Sequence, residues 1–210
     1  EEVGRVIAPE PVVVTVGLSL GLLRRLCPDH AMMEQLVEGA TVLAVAWQER
    51  GPNGGPAEPS CRYADGKLTG GKAWVAGAGG AGGFLVVAEG DAGPVLVLAE
   101  AGADGLSVEE RRQADGSAMG ELSFSGTPAG ELASGGAVRA ALAEAVNDAT
   151  ALAAAELVGL SERAFEITLD YIKTREQFDK PIGSFQVIQH RAVDLNVMCE
   201  VAQAAVREVL

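Results

Sequence analysis

The sequence predicts an α+β fold in which helices flank a central block of strands, and two changes of texture carry that reading. From Thr41 to about Thr127, short β-branched or apolar segments alternate with clusters of Gly, Pro, Asn and Asp, as strands alternate with turns. From Ala137 onward Ala and Leu dominate and glycine almost vanishes, which returns the chain to long helices. The expected organisation is a helical end over 1–40, a middle β-domain over 41–130 and the start of a second helical domain over 131–210. With 210 residues, 48% of them hydrophobic, the chain can bury one or two ordinary cores, and its 27 glycines and nine prolines promise many turns.

Taken in order, the first forty residues hold a short helical end, EEVGRVIAPEP, a hydrophobic segment around 12–26, and a helix after Pro28 and Asp29 through HAMMEQLVEG. The apolar run from Val12 to Leu23 is broken by Thr15, Gly17, Ser19 and Gly21 and falls short of the ~20 residues that span a bilayer, so it reads as buried. By themselves Val12, Val13 and Val14 favour a strand. The chain opens at Glu1 with no basic segment and no methionine and stops at Leu210 inside a helical pattern, which leads us to expect that both ends of the natural protein extend further.

The expected strands are TVLAVAW, KAWVA, FLVVAE, PVLVLAE and ELSFSG. Two glycine patterns lie among them. Gly77, Gly79 and Gly82 fit GxGxxG, and Gly66 to Lys72 fits the first part of a phosphate-binding loop. The first is followed by FLVVAE instead of a helix whose amino terminus could face a pyrophosphate, and the second has Ala73 where a hydroxyl would bind magnesium. Both are expected to be hairpin turns.

A net charge of −13, from 29 acidic against 16 basic residues, argues against nucleic acid or an anionic membrane surface as a partner. Cys27, Cys61 and Cys199 are far apart and form no disulfide or CxxC pattern, and His30 and His190 are too isolated for a zinc site. That usage predicts a reducing compartment, the cytoplasm, with no metal.

In the last helical block, Leu157, Leu160, Ala164, Ile167 and Tyr171 recur at spacings of three and four, while Glu162, Glu166, Asp170 and Lys173 fall away from that stripe. Arg175 and Phe178 continue it, placing a cation at the end of a core-facing seam, where it must reach water or meet an anion. Asp179, Pro181 and Gly183 then end the helix. Ser184 can cap a new one whose stripe is Phe185, Ile188, Ala192, Leu195, Cys199, Ala202 and Val206. Arg175, Gln177, Phe178, Phe185 and Gln186 thus gather at one corner. A cation, two amides and two rings suit a ligand with both a phosphate and an aromatic ring.

The string Tyr171-x-x-x-Arg175-x-Gln177-Phe178-x-x-Pro181-Ile182-x-x-Phe185-Gln186, followed by His190, resembles the start of the carboxy-terminal helical domain of acyl-CoA dehydrogenases. That resemblance implies a helical segment, a middle β-barrel and a helical bundle. It also implies a helix over the valine run and a corner that contacts FAD held by a neighbouring subunit. Arg175 would neutralise the pyrophosphate, Gln177 and Gln186 would bind the adenosine part or its linker, and Phe178 and Phe185 would pack against it. GGKAWVAGAG resembles the family's G-x-K-x-W-I-T-N-G segment, which makes Trp74 a further candidate for the cofactor.

Three departures from the family pattern bear on chemistry. Where the family carries hydroxyls toward the flavin ring, this chain has Gln48, within Trp47-Gln48-Glu49-Arg50, and Ala76; the G-S-D that usually follows the first segment is not recognisable. Asp179 stands where the family usually has glycine. Most members carry the catalytic glutamate well beyond residue 210, outside this sequence, and counting back to the alternative position lands on Ala149 beside Asp148, which is either a shifted base or a solvated carboxylate near a helix start.

The resemblance implies α,β-dehydrogenation of an acyl-CoA thioester, with an electron-transfer flavoprotein as acceptor. A kept arginine corner beside missing flavin-facing hydroxyls resembles the heteromeric acyl-CoA dehydrogenases of bacterial steroid side-chain breakdown, in which two related subunits share each active site. A self-sufficient homotetramer and a non-catalytic assembly subunit of the same fold stay open beside it.

Overall fold

The computed structural model describes residues 1–8, 10–51, 60–114 and 116–209. Its contacts divide the chain into two compact units, one of residues 11–149 and one of residues 1–10 with 150–210.

The larger unit is built on strands β1 (Leu43–Ala46), β2 (Arg62–Ala64), β3 (Lys67–Ala76), β4 (Gly83–Gly90), β5 (Gly93–Glu100), β6 (Leu106–Arg112), β7 (Ala118–Pro128) and β8 (Gly130–Ser134). They form one sheet in the order β6-β7-β3-β2-β4-β5-β8, with β1 running parallel to β4. Alternation along the central strands divides two cores. Ala44, Ala46, Phe84, Val86, Ala88, Val95, Val97 and Ala99 enter a cluster with Leu68, Val75, Leu122 and Phe124, around which the sheet curls. The intervening Leu43, Val45, Leu85, Val87 and Leu96 face the helices. Because both faces are covered, β4 reads as a continuous apolar run instead of an alternating one.

Three strands were not expected from the sequence. β6 and β8 are the two ends of the sheet path, and β6 carries Glu109, Glu110, Arg111 and Arg112, so no apolar alternation marks it. β2 is only three residues long.

The glycine patterns resolve differently from each other. Asp65 and Gly66, at φ 49° and 75°, form the two-residue turn joining β2 to β3, so of the Gly66 to Lys72 stretch only Gly66 is in the expected hairpin turn and the rest runs in β3. Gly77 to Gly82 is a turn but not a hairpin, because β2 lies between the strands it joins, β3 and β4. It contains a single 3₁₀ turn over Ala78–Gly80.

The valine run is helical. It winds as a π-helix over Val13–Leu20 and continues as α2 (Gly21–Leu26), after α1 (Glu2–Val6) and before α3 (Met32–Val37). Tertiary packing overrides the β-branched preference. Gly17 meets helix α4 (Gly136–Thr174) so closely that a Cβ there would lie 2.6 Å from Ala149 Cα, and the buried Ser19 hydroxyl donates to Leu43 O at 2.6 Å. Leu22, Leu23 and Leu36 complete that core with Val138, Ala141 and Ala145 of α4. No helix among the described residues is long and apolar enough to cross a membrane.

A buried ion pair joins the end of β1 to β2 and β3. Glu49 and Lys72 are 5% and 3% exposed, with Lys72 Nζ 2.5 Å from Glu49 Oε1. The same carboxylate accepts the Ser60 N–H and hydroxyl at 2.5 and 2.6 Å and the Cys61 N–H at 3.0 Å. Burial would raise the Glu49 carboxyl, but these donors outweigh it and hold it below its ordinary value. Cys61, fully buried beside the pair, is pushed up to about 11 chiefly by desolvation and stays a thiol.

Because Glu49 is more acidic folded than unfolded, its contribution is complete above the unfolded carboxyl pKa of ~4.3 and disappears as pH falls through the lower folded value. Lys72→Met, which strands the carboxylate without its cation, should destabilise the chain by about 3–5 kcal/mol at pH 7. Urea denaturation should show that difference shrinking below pH 4, and an equal stability of the two proteins at pH 7 would refute the role given to the pair.

Candidate functional site

Helix α4 ends at Thr174, one residue before Arg175, so Arg175 and Phe178 do not continue its stripe as expected. Arg175 N still donates to Tyr171 O at 2.8 Å, and the Thr174 hydroxyl folds back on Asp170 O and Tyr171 O. The chain then makes a two-stranded hairpin, β9 (Glu176–Gln177) and β10 (Lys180–Pro181), closed by Ile182 N donating to Arg175 O at 2.8 Å. A 3₁₀ turn over Ile182–Ser184 leads into α5 (Gln186–Val209). Ser184 does not cap α5: Phe185 precedes it, its carbonyl accepting from Ile188 N and Gln189 N, while Gln189 Nε2 donates back to Gly183 O.

The hairpin brings Arg175, Gln177, Phe178, Phe185 and Gln186 to one corner. Its turn is Phe178-Asp179, at φ 55° and 63°. Both residues are left-handed, the geometry that hairpins ordinarily reserve for Asn-Gly or Asp-Gly. This accounts for the glycine expected at 179: the position needs positive φ, and aspartate tolerates it better than most side chains. Asp179 is exposed and, among the described residues, makes no ion pair. Lys180, which the sequence reading did not single out, places its ammonium 4.3 Å from the Phe185 ring centre. The Phe178 and Phe185 rings meet edge to face at 6.1 Å, yet Phe178 stays 85% exposed. The Arg175 guanidinium is exposed and has no hydrogen-bond or ion-pair partner among the described residues. A cation, a ring edge and two exposed amides are therefore presented outward.

The surrounding helices reverse part of the stripe expectation. Leu157, Ile167 and Tyr171 are more than half exposed instead of facing a core. The polar side is the partnered one: Arg5 of α1 holds Glu166 at 2.7 Å and Glu162 at 3.3 Å, and Gln203 of α5 donates to Glu162 at 2.6 Å. The Arg5 and Arg163 contacts keep the Glu166 carboxyl below its ordinary value. On α5 the stripe holds better. Phe185, Ile188, Ala192 and Cys199 are half-buried and Val206 is buried, whereas Leu195 and Ala202 are exposed.

Asp148 is not near a helix start but in the middle turns of α4, where Arg25 pairs with it at 2.8 Å and with Glu144 at 2.7 Å. These two ion pairs tie α2 to α4.

Trp74 belongs to the other unit. It is half-buried on β3 at φ 53°, within the irregularity where pairing with β7 shifts between Lys72 and Val75. Arg50 lies over its ring, 5.6 Å from the centre, and is ion-paired with Glu121 of β7. Gln48 is engaged through its backbone, its O accepting from Ala73 N at 2.9 Å. The segment where the family's G-S-D would follow Arg50 runs into 52–59, outside the described residues.

Several acyl-CoA dehydrogenases are among the known proteins that this chain resembles. Residues 136–210 match the acyl-CoA dehydrogenase C-terminal domain family. The chain is similar to the acyl-CoA dehydrogenase IpdE2 of Mycobacterium tuberculosis, with 47% identity over 60 residues, 29% of this chain and 19% of that protein. Among solved structures it resembles the steroid acyl-CoA dehydrogenase Tcur3481-Tcur3483 at 31% identity and a TM-score of 0.83, covering 99% of this chain and 57% of that one. It also resembles the ChsE4-ChsE5 complex from Mycobacterium tuberculosis at 28% identity and a TM-score of 0.79, covering 99% of this chain and 58% of that one. The chain thus spans a little over half the length of these solved relatives.

The strained turn yields a direct test. Asp179→Gly should stabilise the chain by about 0.5–1 kcal/mol, the relief of a left-handed non-glycine residue less the entropy that glycine loses on folding. A raised urea midpoint at unchanged slope is the expected result.

Proposed function

From the match of residues 136–210 to the acyl-CoA dehydrogenase C-terminal domain family, we propose that the chain serves as one subunit of an FAD-dependent acyl-CoA dehydrogenase, presenting its Arg175 corner to FAD held by a related subunit. The observation that carries this reading is the outward-facing set on the β9-β10 hairpin: an unpaired guanidinium beside an exposed aromatic edge, fixed by a turn with two left-handed residues. Strain of this kind persists where the surrounding structure imposes it, and it gathers at binding sites. The donor set fits a dinucleotide whose pyrophosphate and ring come from outside this unit.

When bound, FAD accepts the hydride removed as an acyl-CoA thioester is desaturated between its α and β carbons. The share of this chain is binding and orientation. Arg175 offers a fork of N–H donors that can neutralise a pyrophosphate and pair with its oxygens. Gln177 and Gln186 offer amides to the adenosine part or its linker, and Phe178 and Phe185 offer an edge-to-face surface for it.

The similarity to the steroid acyl-CoA dehydrogenase Tcur3481-Tcur3483 and to the ChsE4-ChsE5 complex supports a heteromer, α2β2 by analogy, acting in the cytoplasm on an acyl-CoA with a steroid or fatty acyl chain and passing electrons to an electron-transfer flavoprotein. Arg175→Ala tests the reading. Co-purified with a related dehydrogenase subunit encoded beside it, the variant should retain flavin at least tenfold more weakly, as the loss of a charged hydrogen-bonded contact predicts, with the isolated chain's melting unchanged. Full flavin retention by that complex would overturn the proposal.

A further inference from the structure

The Trp74 surface and the Arg175 corner give opposite answers when matched to a flavin. At the corner, the Arg175 guanidinium has no hydrogen-bond or ion-pair partner among the described residues and Phe178 stays 85% exposed. At Trp74 the ring face is already occupied: Arg50 lies 5.6 Å from the indole centre and is anchored by its ion pair with Glu121. Of the two positions from which the family directs hydroxyls toward the ring, Ala76 has no hydrogen-bonding side chain and Gln48 carries an amide in place of the hydroxyl.

The local backbone makes this arrangement specific. Glu49 is buried in its pair with Lys72, which fixes both Arg50, the next residue along the chain, and the bulge carrying Trp74 two residues after Lys72. Glu121 lies on β7, the neighbour of β3, opposite Glu109 of β6. The neighbouring strands β3 and β7 therefore set the indole and the anchor side by side, and Arg50, just past β1, spans them. A guanidinium stacks on an indole through its flat face and its charge, and its planar fork can keep a carboxylate at the same time.

We infer that Arg50 is a self-supplied cap on Trp74, held by Glu121, which keeps the indole face of this chain closed to a flavin ring. This goes beyond the proposed contribution of the Arg175 corner, and rests on it only in identifying a flavin as the ring to be excluded. The cap leaves the chain's own flavin-facing surface closed while its corner remains open to a partner's cofactor.

The chain has two tryptophans, Trp47 and Trp74, so Trp47→Phe leaves Trp74 as the sole reporter. Titrating this variant with riboflavin, an uncharged carrier of the isoalloxazine ring, should quench its fluorescence only along the linear collisional line. In Trp47→Phe/Arg50→Ala the quenching should instead saturate, at a half-point at least tenfold lower than the highest riboflavin concentration tested. Trp47→Phe/Glu121→Gln keeps the arginine but loosens its anchor, and should shift the curve in the same direction by less. That variant also decides the matter if removing Arg50 disturbs the fold. Saturable quenching with Arg50 and Glu121 in place would overturn the inference, as would identical curves for all three proteins. Neither outcome bears on Arg175, whose test reads flavin in the assembled complex.

Discussion

The buried carboxylate of Glu49 is the constraint on which the middle of this structure turns. A charge at 5% exposure is tolerable only when its lone pairs are filled, and here one ammonium, one hydroxyl and two backbone N–H groups fill them. The carboxylate precedes the segment between Arg50 and Ser60 and its donors all follow it, so these bonds close that connection whatever lies within it. It also sets the end of β1 beside β3, where Ala73 N meets Gln48 O. Arg50 and Trp74 inherit their positions from that junction, and the cap follows from it.

Both candidate surfaces share a backbone signature. Of five non-glycine residues at positive φ among those described, Trp74, Phe178 and Asp179 belong to them. Each left-handed residue costs on the order of 1–2 kcal/mol, which the surrounding pairing must impose. At Trp74 the imposing contacts are the β3-β7 ladder and the Glu49-Lys72 pair; at the hairpin they are the β9-β10 ladder and the Ile182 to Arg175 hydrogen bond. The outcomes differ in what the strain displays. One side chain is covered by a cation from its own chain, and the other is left 85% exposed.

Much of this was legible in sequence, and the misses have physical causes. The corner residues were found because helix period and turn residues converge over a dozen positions, where local chemistry decides the path. Asp179 could be recognised as standing at a glycine position, while the left-handed turn that explains it needed coordinates. β6 escaped because an edge strand carries charge where alternation would otherwise identify it. Lys180 over Phe185 and Arg50 over Trp74 escaped because a cation–π contact depends on rotamers and strand register, which composition does not encode.

The sequence by itself determined which residues share a face. The period of α5 follows from backbone geometry that repeats at fixed spacing, and the cluster from Arg175 to Gln186 from the turn residues that separate two helices. Only the tertiary structure decided what each face meets. It turned the valine run into a helix by seating Gly17 on Ala149, gave Glu162 and Glu166 to Arg5 while leaving Leu157, Ile167 and Tyr171 exposed, and engaged Asp148 with Arg25. Periodicity is a property of one element, whereas burial and pairing belong to two, and the second is settled only when the chain has folded.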